Sequence, residues 1–144
     1  MYPTQRWCIA ALCACLGNQC LATDLPLPTP QTQGAVTYVT GGIGLDEVDA
    51  FRAAAQQYNL RVTFSSQTGE YYAGVKVTLR DAKGKTVIET TSDGPFVYFN
   101  VLPGKYEVVA ENLGQTVTRS AQVREKRGTE LYIRWKAPSE VQSQ

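Results

Sequence analysis

The second half of the chain alternates apolar and polar residues with a period of two, the pattern of strands that bury one face. Glycines recur there at intervals of ten residues, while the residues between them do not repeat. Strands of about five or six residues joined by tight turns produce this spacing, which is typical of a β-sandwich or barrel. The strands predicted in this half are Val75–Arg80, Thr86–Thr91, Phe96–Val101, Lys105–Glu111, Gln115–Val123 and Thr129–Lys136.

The first half predicts a strand, a helix and a second strand. Ala35–Thr40 is rich in β-branched and aromatic residues, as strands are. Leu45–Tyr58 repeats its apolar residues on one side with helical spacing, and Asp46 is predicted to be its N-cap. Leu60–Ser65 returns to strict alternation, which indicates a half-buried strand.

One predicted strand is apolar on both faces. Phe96–Leu102 has no polar side, although a sandwich strand needs only one buried face. Another element must therefore cover its second face. The apolar side of the Leu45–Tyr58 helix is available for this, and we expect the helix to pack across the outside of the sheet there.

Three short segments resemble a known family. Ala73–Val77, Thr91–Gly94 and above all Val101–Tyr106, with the sequence Val-Leu-Pro-Gly-Lys-Tyr, are similar to the carboxypeptidase regulatory-like domain. The likeness extends from about Tyr72 to Trp135. It implies a non-catalytic, transthyretin-like Greek-key sandwich. The stretch from Tyr38 through Gly-Gly-Ile-Gly to Glu47 also looks like a group of exported bacterial proteins that place a glycine loop and a helix before such a sandwich.

Pattern and resemblance together predict the fold class. We expect a mainly β protein, a Greek-key sandwich of the transthyretin or immunoglobulin type, with about seven strands and one N-terminal helix packed on a sheet face. The first strand of the family is replaced here by the strand–helix–strand stretch, so the strand order at that edge stays open.

The N-terminus predicts a secretory signal. Arg6 is the only charge before Asp24, and the apolar run that follows Arg6 is too short to span a bilayer. Small residues before the junction of Ala22 and Thr23 suit cleavage by a signal peptidase. The alternative is a lipoprotein, because the residues around Cys15 resemble a lipobox, whose cysteine would be acylated.

These features divide the chain into five predicted segments. They are a signal peptide at 1–22, a proline-rich extended linker at 23–34, a strand–helix–strand appendage at 35–66, the sandwich at 67–137 and a disordered tail at 138–144.

Composition then removes whole classes of function. The chain has 14 Lys and Arg, 13 Asp and Glu, four Cys, one Met and no His. Cleavage after Ala22 would remove every Cys, the Met and one Arg, leaving 13 basic and 13 acidic residues. Without His there is no His-based triad and no His metal ligand. The balanced charge argues against nucleic acid as a partner, and we expect no cofactor and no transmembrane span in the mature chain.

The candidate sites each have an ordinary structural alternative. Tyr71 and Tyr72 could form an aromatic platform for a sugar or peptide, or begin a strand that is half in the core. Asp46, Glu47 and Asp49 could hold a cation, although acids in a first helical turn commonly serve the helix dipole.

Catalysis is the least favoured function. Asp93, Glu107 and Glu111 are candidate carboxylates for an accessory hydrolase, but nothing in the sequence places two of them in one cleft.

The predicted function is therefore that of an exported, periplasmic or secreted, non-catalytic module. It would bind or assemble with another envelope or secreted protein through the strand Ala35–Thr40, which we expect at an open sheet edge with Val36, Tyr38 and Val39 as its contact residues. A carbohydrate or small-ligand module using Tyr71 and Tyr72 is the alternative.

The mass of the exported protein tests the predicted processing. Cleavage after Ala22 gives a chain that begins at Thr23 and carries no lipid. An intact-mass measurement that instead finds a chain beginning at an acylated Cys15 would contradict the prediction and show an anchored lipoprotein.

Overall fold

Nine strands and one helix form within residues 27–136, the part of the chain that the computed structural model describes. The helix α1 spans Leu45–Ala54 and continues as a 3₁₀ turn at Ala55–Gln57. The strands are β1 Gln31–Gln33, β2 Val36–Gly41, β3 Leu60–Ser66, β4 Lys76–Asp81, β5 Thr86–Thr91, β6 Phe96–Asn100, β7 Gly104–Asn112, β8 Gln115–Val123 and β9 Thr129–Trp135. The predicted cleavage site, Cys15, the first residues of the predicted linker and the predicted tail lie outside the described residues.

The strands form two sheets. One has five strands in the order β1-β2-β6-β3-β9, and the other has four in the order β5-β4-β7-β8. Neighbouring strands are antiparallel except for β3 and β9, which run parallel. The arrangement confirms the mainly β sandwich. The eight strands predicted from the sequence agree with β2 to β9 to within one residue at either end.

The main core lies between the two sheets. Its members are the inward-facing residues of both, as the alternation predicted for β4 and β9. Val77 and Leu79 of β4 and Ile133 of β9 are completely buried, and Trp135 is nearly so. This apolar layer is what holds the two sheets together.

The strand β6 is covered on both faces, as predicted. Its inward residues Val97 and Phe99 join the main core, while Phe96 and Tyr98 face the helix. The ring of Phe51 in α1 lies with its centroid 5.4 Å from that of Phe96 and 5.0 Å from that of Tyr98, the latter edge to face. A second, smaller core therefore fixes α1 on the outside of the five-stranded sheet.

The predicted appendage is part of the sandwich. The strands β2 and β3 both pair with β6, one on each side of it, and α1 crosses over β6 between them. The stretch 35–66 therefore supplies two strands of the five-stranded sheet and is not a separate unit beside it. The long-range hydrogen bonds of β6 decide this, and no local pattern in the sequence records them.

The prediction that Ala35–Thr40 is an open edge is wrong. Gln31–Gln33, predicted to belong to the extended linker, turns back at Gly34 and pairs with β2 as the edge strand β1. Val36 and Tyr38 are buried in the main core, and Val39 is buried against α1. These three residues cannot serve a partner without unfolding. The residues after Pro30 have backbone N–H groups, so they can form hydrogen bonds with β2.

The predicted N-cap is also wrong. The helix begins at Leu45 with Gly44 as its N-cap, and no side chain caps its first turn. Gly44 has φ 86°, a left-handed conformation that favours glycine and moves the start of the helix ahead of Asp46.

We predict that Phe51→Ala destabilises the protein by about 3–5 kcal/mol, because it removes the ring on which both aromatic residues of β6 pack. Urea unfolding measures the loss. Leu45→Ala, on the same helix at a side chain that is 82% exposed, is the matched control and should have little effect. Equal losses in the two variants would show that α1 does not close a core.

Candidate functional site

The helix α1 covers only half of the outer face of the five-stranded sheet. It packs over β2 and β6, while the outward side chains of β9 are exposed and those of β3 are half-buried or buried. A cleft of about 370 Å³ remains between α1 and the loop at residues 67–74. We call it the aromatic cleft and define it by Tyr71, Phe96, Tyr98 and Tyr132 with the charged pair Arg61 and Glu130.

Strand alternation and one loop bring the aromatic residues together. Tyr132 lies between two inward residues of β9, so its ring projects from the outer face and is 57% exposed. Tyr71 reaches the same face through a backbone bridge to Ser65 of β3. Its ring is 61% exposed and lies 6.0 Å from that of Phe96, centroid to centroid.

Arg61 connects the cleft to the end of the helix. Its Nη1 donates to the carbonyl oxygens of Ala55 and Tyr58 at 2.9 and 3.3 Å, and its Nε lies 3.1 Å from the Glu130 carboxylate. A side chain at Gly128 would collide with this guanidinium, which explains the glycine before β9. The largely buried Arg61 therefore has a structural task, since it satisfies carbonyls where the helix ends.

The tyrosine hydroxyl on the cleft floor is held in its neutral form. Burial raises the pKa of Tyr98 above the usual 10.0; the nearby Arg61 guanidinium opposes this shift and the Glu130 carboxylate reinforces it. The floor is thus a neutral aromatic surface at physiological pH.

Tyr71 and Tyr72 do not form the predicted platform together. Consecutive residues of an extended segment point to opposite sides, so Tyr72 turns toward the main core and packs edge to face on Trp135. Tyr132 takes the place expected for Tyr72. The alternation of β9 already marks Tyr132 as an outward aromatic residue, and the prediction missed it because it considered only the inward set.

The three acids at the start of the helix do not converge. The Glu47 carboxylate accepts a hydrogen bond from the amide of Gly42 at 2.6 Å, and Asp49 pairs with Arg52 at 3.4 Å, while Asp46 is exposed. Within residues 27–136 no group of three Asp, Glu, Cys or His is placed to hold a metal ion. Glu47 closes the glycine loop instead.

The three candidate carboxylates of the hydrolase hypothesis also lie apart. Glu107 and Glu111 are four residues apart on β7, a rise of about 13 Å, which exceeds the separation in either class of glycosidase. Glu107 pairs with Arg80 at 3.6 Å. Asp93 lies in the turn before β6, where its amide donates to the hydroxyl of Thr40 in the neighbouring strand β2.

A larger depression of about 540 Å³ lies on the opposite side of the molecule. It lies along β7 and β8 of the four-stranded sheet, and its lining includes Lys105, Glu107 and Gln122. Tyr106 lines it but donates its hydroxyl to the carbonyl of Leu102, and its pKa is raised by burial and by the charge of Asp81. Because Tyr106 already has an internal partner, we favour the aromatic cleft as the site.

Comparison with known proteins gives one match. Residues 59–129 match the family model described as "BOS complex subunit NOMO1-like, second beta sandwich domain". The matched residues run from β3 to the start of β9. The match supports a sandwich of the transthyretin-like, carboxypeptidase regulatory-like type. A comparison with curated proteins found no match. None of the helices within the described range is long and apolar enough to cross a membrane.

We predict that Tyr98 makes the folded protein less stable at alkaline pH. Because its pKa is raised in the folded state, its contribution is fully present below pH 10.0 and is lost as the pH rises through the folded pKa. The unfolding free energy should fall less steeply above pH 10.0 in Tyr98→Phe than in the wild type. Around pH 8, tyrosine is neutral in both the folded and the unfolded state. There the difference in unfolding free energy between the wild type and Tyr98→Phe should be independent of pH. If the curves of unfolding free energy against pH stayed parallel for the two proteins above pH 10.0 as well, the raised pKa of Tyr98 would be contradicted.

Proposed function

We propose that this protein is an exported, non-catalytic module that assembles with another envelope or secreted protein through the aromatic cleft. The observation that carries the proposal is the exposure of Tyr71 and Tyr132 on either side of a rigid aromatic floor. Large exposed aromatic side chains held over a fixed surface are typical of binding sites and not of solvated sheet faces.

The cleft is built to bury a side chain of a partner. Its floor is held in place, because the rings of Phe96 and Tyr98 pack against Phe51 of α1 at one side of the cleft. An apolar or aromatic side chain inserted between Tyr71 and Tyr132 would bury both rings, and tyrosine in such a position often carries much of the binding energy of an interface.

The rim adds a preference for charge. Arg61 and Glu130 neutralise each other, whereas the exposed Arg134 beside the cleft makes none of the ion pairs found within the described residues. A partner segment with an aromatic anchor and a neighbouring carboxylate would therefore fit this surface.

The family match supports assembly over catalysis. Its description names a domain of a subunit of a complex, and the matched residues include β3, which forms part of the cleft. The dispersed positions of Asp93, Glu107 and Glu111 give no support to a hydrolase.

Export rests on the sequence. A signal peptide at residues 1–22 would direct the mature chain to the periplasm or out of the cell, and its removal would leave a chain without Cys, Met or His. The partner would then be a protein of the same compartment.

Carbohydrate binding is the second candidate function. Exposed tyrosine faces beside the hydrogen-bonding groups of Arg61 and Glu130 would also suit a sugar ring. A glycan array separates the two functions, because specific glycan hits that depend on Tyr71 would favour the carbohydrate module over the assembly module.

We predict that Tyr71→Ala weakens capture of the partner about tenfold or more, as loss of a central interface tyrosine does. The measurement is a pull-down from the envelope fraction followed by titration of the identified partner. Leu102→Ala is the matched control, since that side chain is 70% exposed but lies after the other end of β6. An equal effect of both variants, or of neither, would overturn the assignment of the cleft.

A further inference from the structure

The sandwich has four edge strands, and three of them are protected. The strand β1 has three residues and follows Pro30, which lacks an N–H. The carbonyl oxygen of Glu89 in β5 accepts a hydrogen bond from the Gln33 side chain at 3.1 Å. Short edges, proline and side chains bound to the edge backbone all hinder the addition of another strand.

The edge of β8 is protected by β9. The indole of Trp135 donates to the carbonyl of Gln115 at 3.1 Å, and the hydroxyl of Thr129 donates to that of Gln122 at 2.8 Å. Arg119 occupies an inward position of this strand, where a charge opposes pairing with another sheet.

The edge of β9 is open. The amide of Thr129 donates to Asn59 and the carbonyl of Trp135 accepts from Gln67, both at 2.9 Å, so these groups point toward β3. Because backbone groups alternate in direction along a strand, those of Glu130, Tyr132 and Arg134 point away from β3. Among residues 27–136 they have no backbone partner.

The same three residues carry a self-complementary pattern. Their side chains project together from the outer face, with an acid two residues before Tyr132 and a base two residues after it. If a second copy of β9 runs antiparallel and is centred on Tyr132, Glu130 faces Arg134 of the second copy, and Arg134 faces Glu130 of the second copy.

We propose that two copies of this chain pair edge to edge through β9, related by a two-fold axis at Tyr132. Each of the three residues then exchanges both backbone hydrogen bonds with the residue opposite, because the register that matches the charges is also the one that matches the free N–H and C=O groups. The five-stranded sheets join into one continuous sheet, and the interface is isologous and closed.

No other edge matches itself in this way. Charged residues number one in β8, namely Arg119, one in β5, namely Glu89, and none in β1. An antiparallel copy of any of these strands finds no opposite charge on its twin. Among the edge strands formed by residues 27–136, only β9 combines an open backbone with an acid and a base placed symmetrically about one residue.

The pairing goes beyond the proposed function and changes the site. Two aromatic clefts come side by side on the same outer face, and the ring of Tyr132 from the second copy extends each of them. A partner would meet one composite surface with two anchoring positions.

Charge reversal tests the pairing in the full chain as exported. We expect the wild type to form dimers in sedimentation equilibrium, with weaker association at high salt. Arg134→Glu places like charges opposite each other twice per dimer and should weaken association about tenfold or more. Arg134→Lys keeps the sign of the charge and should leave the dimer largely intact.

Mixing provides the specific rescue. Glu130→Arg alone should also be monomeric, but an equimolar mixture with Arg134→Glu pairs an all-acidic edge with an all-basic one and should give a heterodimer. Because Glu130 also binds Arg61, a second variant leaves both charges in place. Tyr132→Pro removes an N–H that points away from β3 together with the tyrosine ring, and it should yield a folded monomer.

A wild-type chain that is monomeric at about 100 μM, or dimers that persist unchanged in both Arg134→Glu and Tyr132→Pro, would overturn the pairing. Tyr71→Ala should still dimerise while losing the partner. A monomeric chain that still captures its partner would therefore refute the dimer and leave the proposed function standing.

Discussion

The whole structure depends on one constraint, the burial of both faces of β6. Its inner face completes the core between the sheets, but Phe96 and Tyr98 on its outer face would be exposed to solvent without α1. Covering them fixes the helix over β2 and β6, between the two strands that pair with β6. The same placement leaves the outward side chains of β9 exposed, and the aromatic cleft lies beside the helix where α1 does not cover the sheet.

The glycine loop before α1 is a consequence of this packing. A side chain at Gly42 would collide with the ring of Phe96, and one at Gly94 would collide with the backbone of Gly41. The loop must therefore pass closely over the start of β6, and Glu47 holds it there by accepting the amide of Gly42. The glycines of this loop are thus explained by close packing, and the loop binds the carboxylate of Glu47 in the helix that follows it.

Local pattern predicted most of this fold but not its edges. Alternation located β3 to β5 and β7 to β9, β-branched and aromatic content located β2, and the two apolar faces of β6 correctly required the helix. Periodicity does not reveal the strand order or the pairing of β1 with β2, because these depend on which strands form hydrogen bonds. It does not reveal the glycine cap of α1 either, because that depends on the φ angle of Gly44. The site was half predicted for the same reason: Tyr71 was predicted as one of two adjacent tyrosines, whereas Tyr132 needed the parallel pairing of β9 with β3 to bring it alongside.

That parallel pairing also decides what the edge of β9 can do. In this strand the residues whose backbone bonds face β3 are those whose side chains enter the core, so the residues with free backbone groups are those with outward side chains. Free backbone N–H and C=O groups and outward side chains therefore occur on the same three residues, Glu130, Tyr132 and Arg134. A partner strand that pairs with these backbone groups must also contact these side chains. An edge of this kind selects its partner by charge register, whereas an edge that offered backbone groups alone would accept any extended chain.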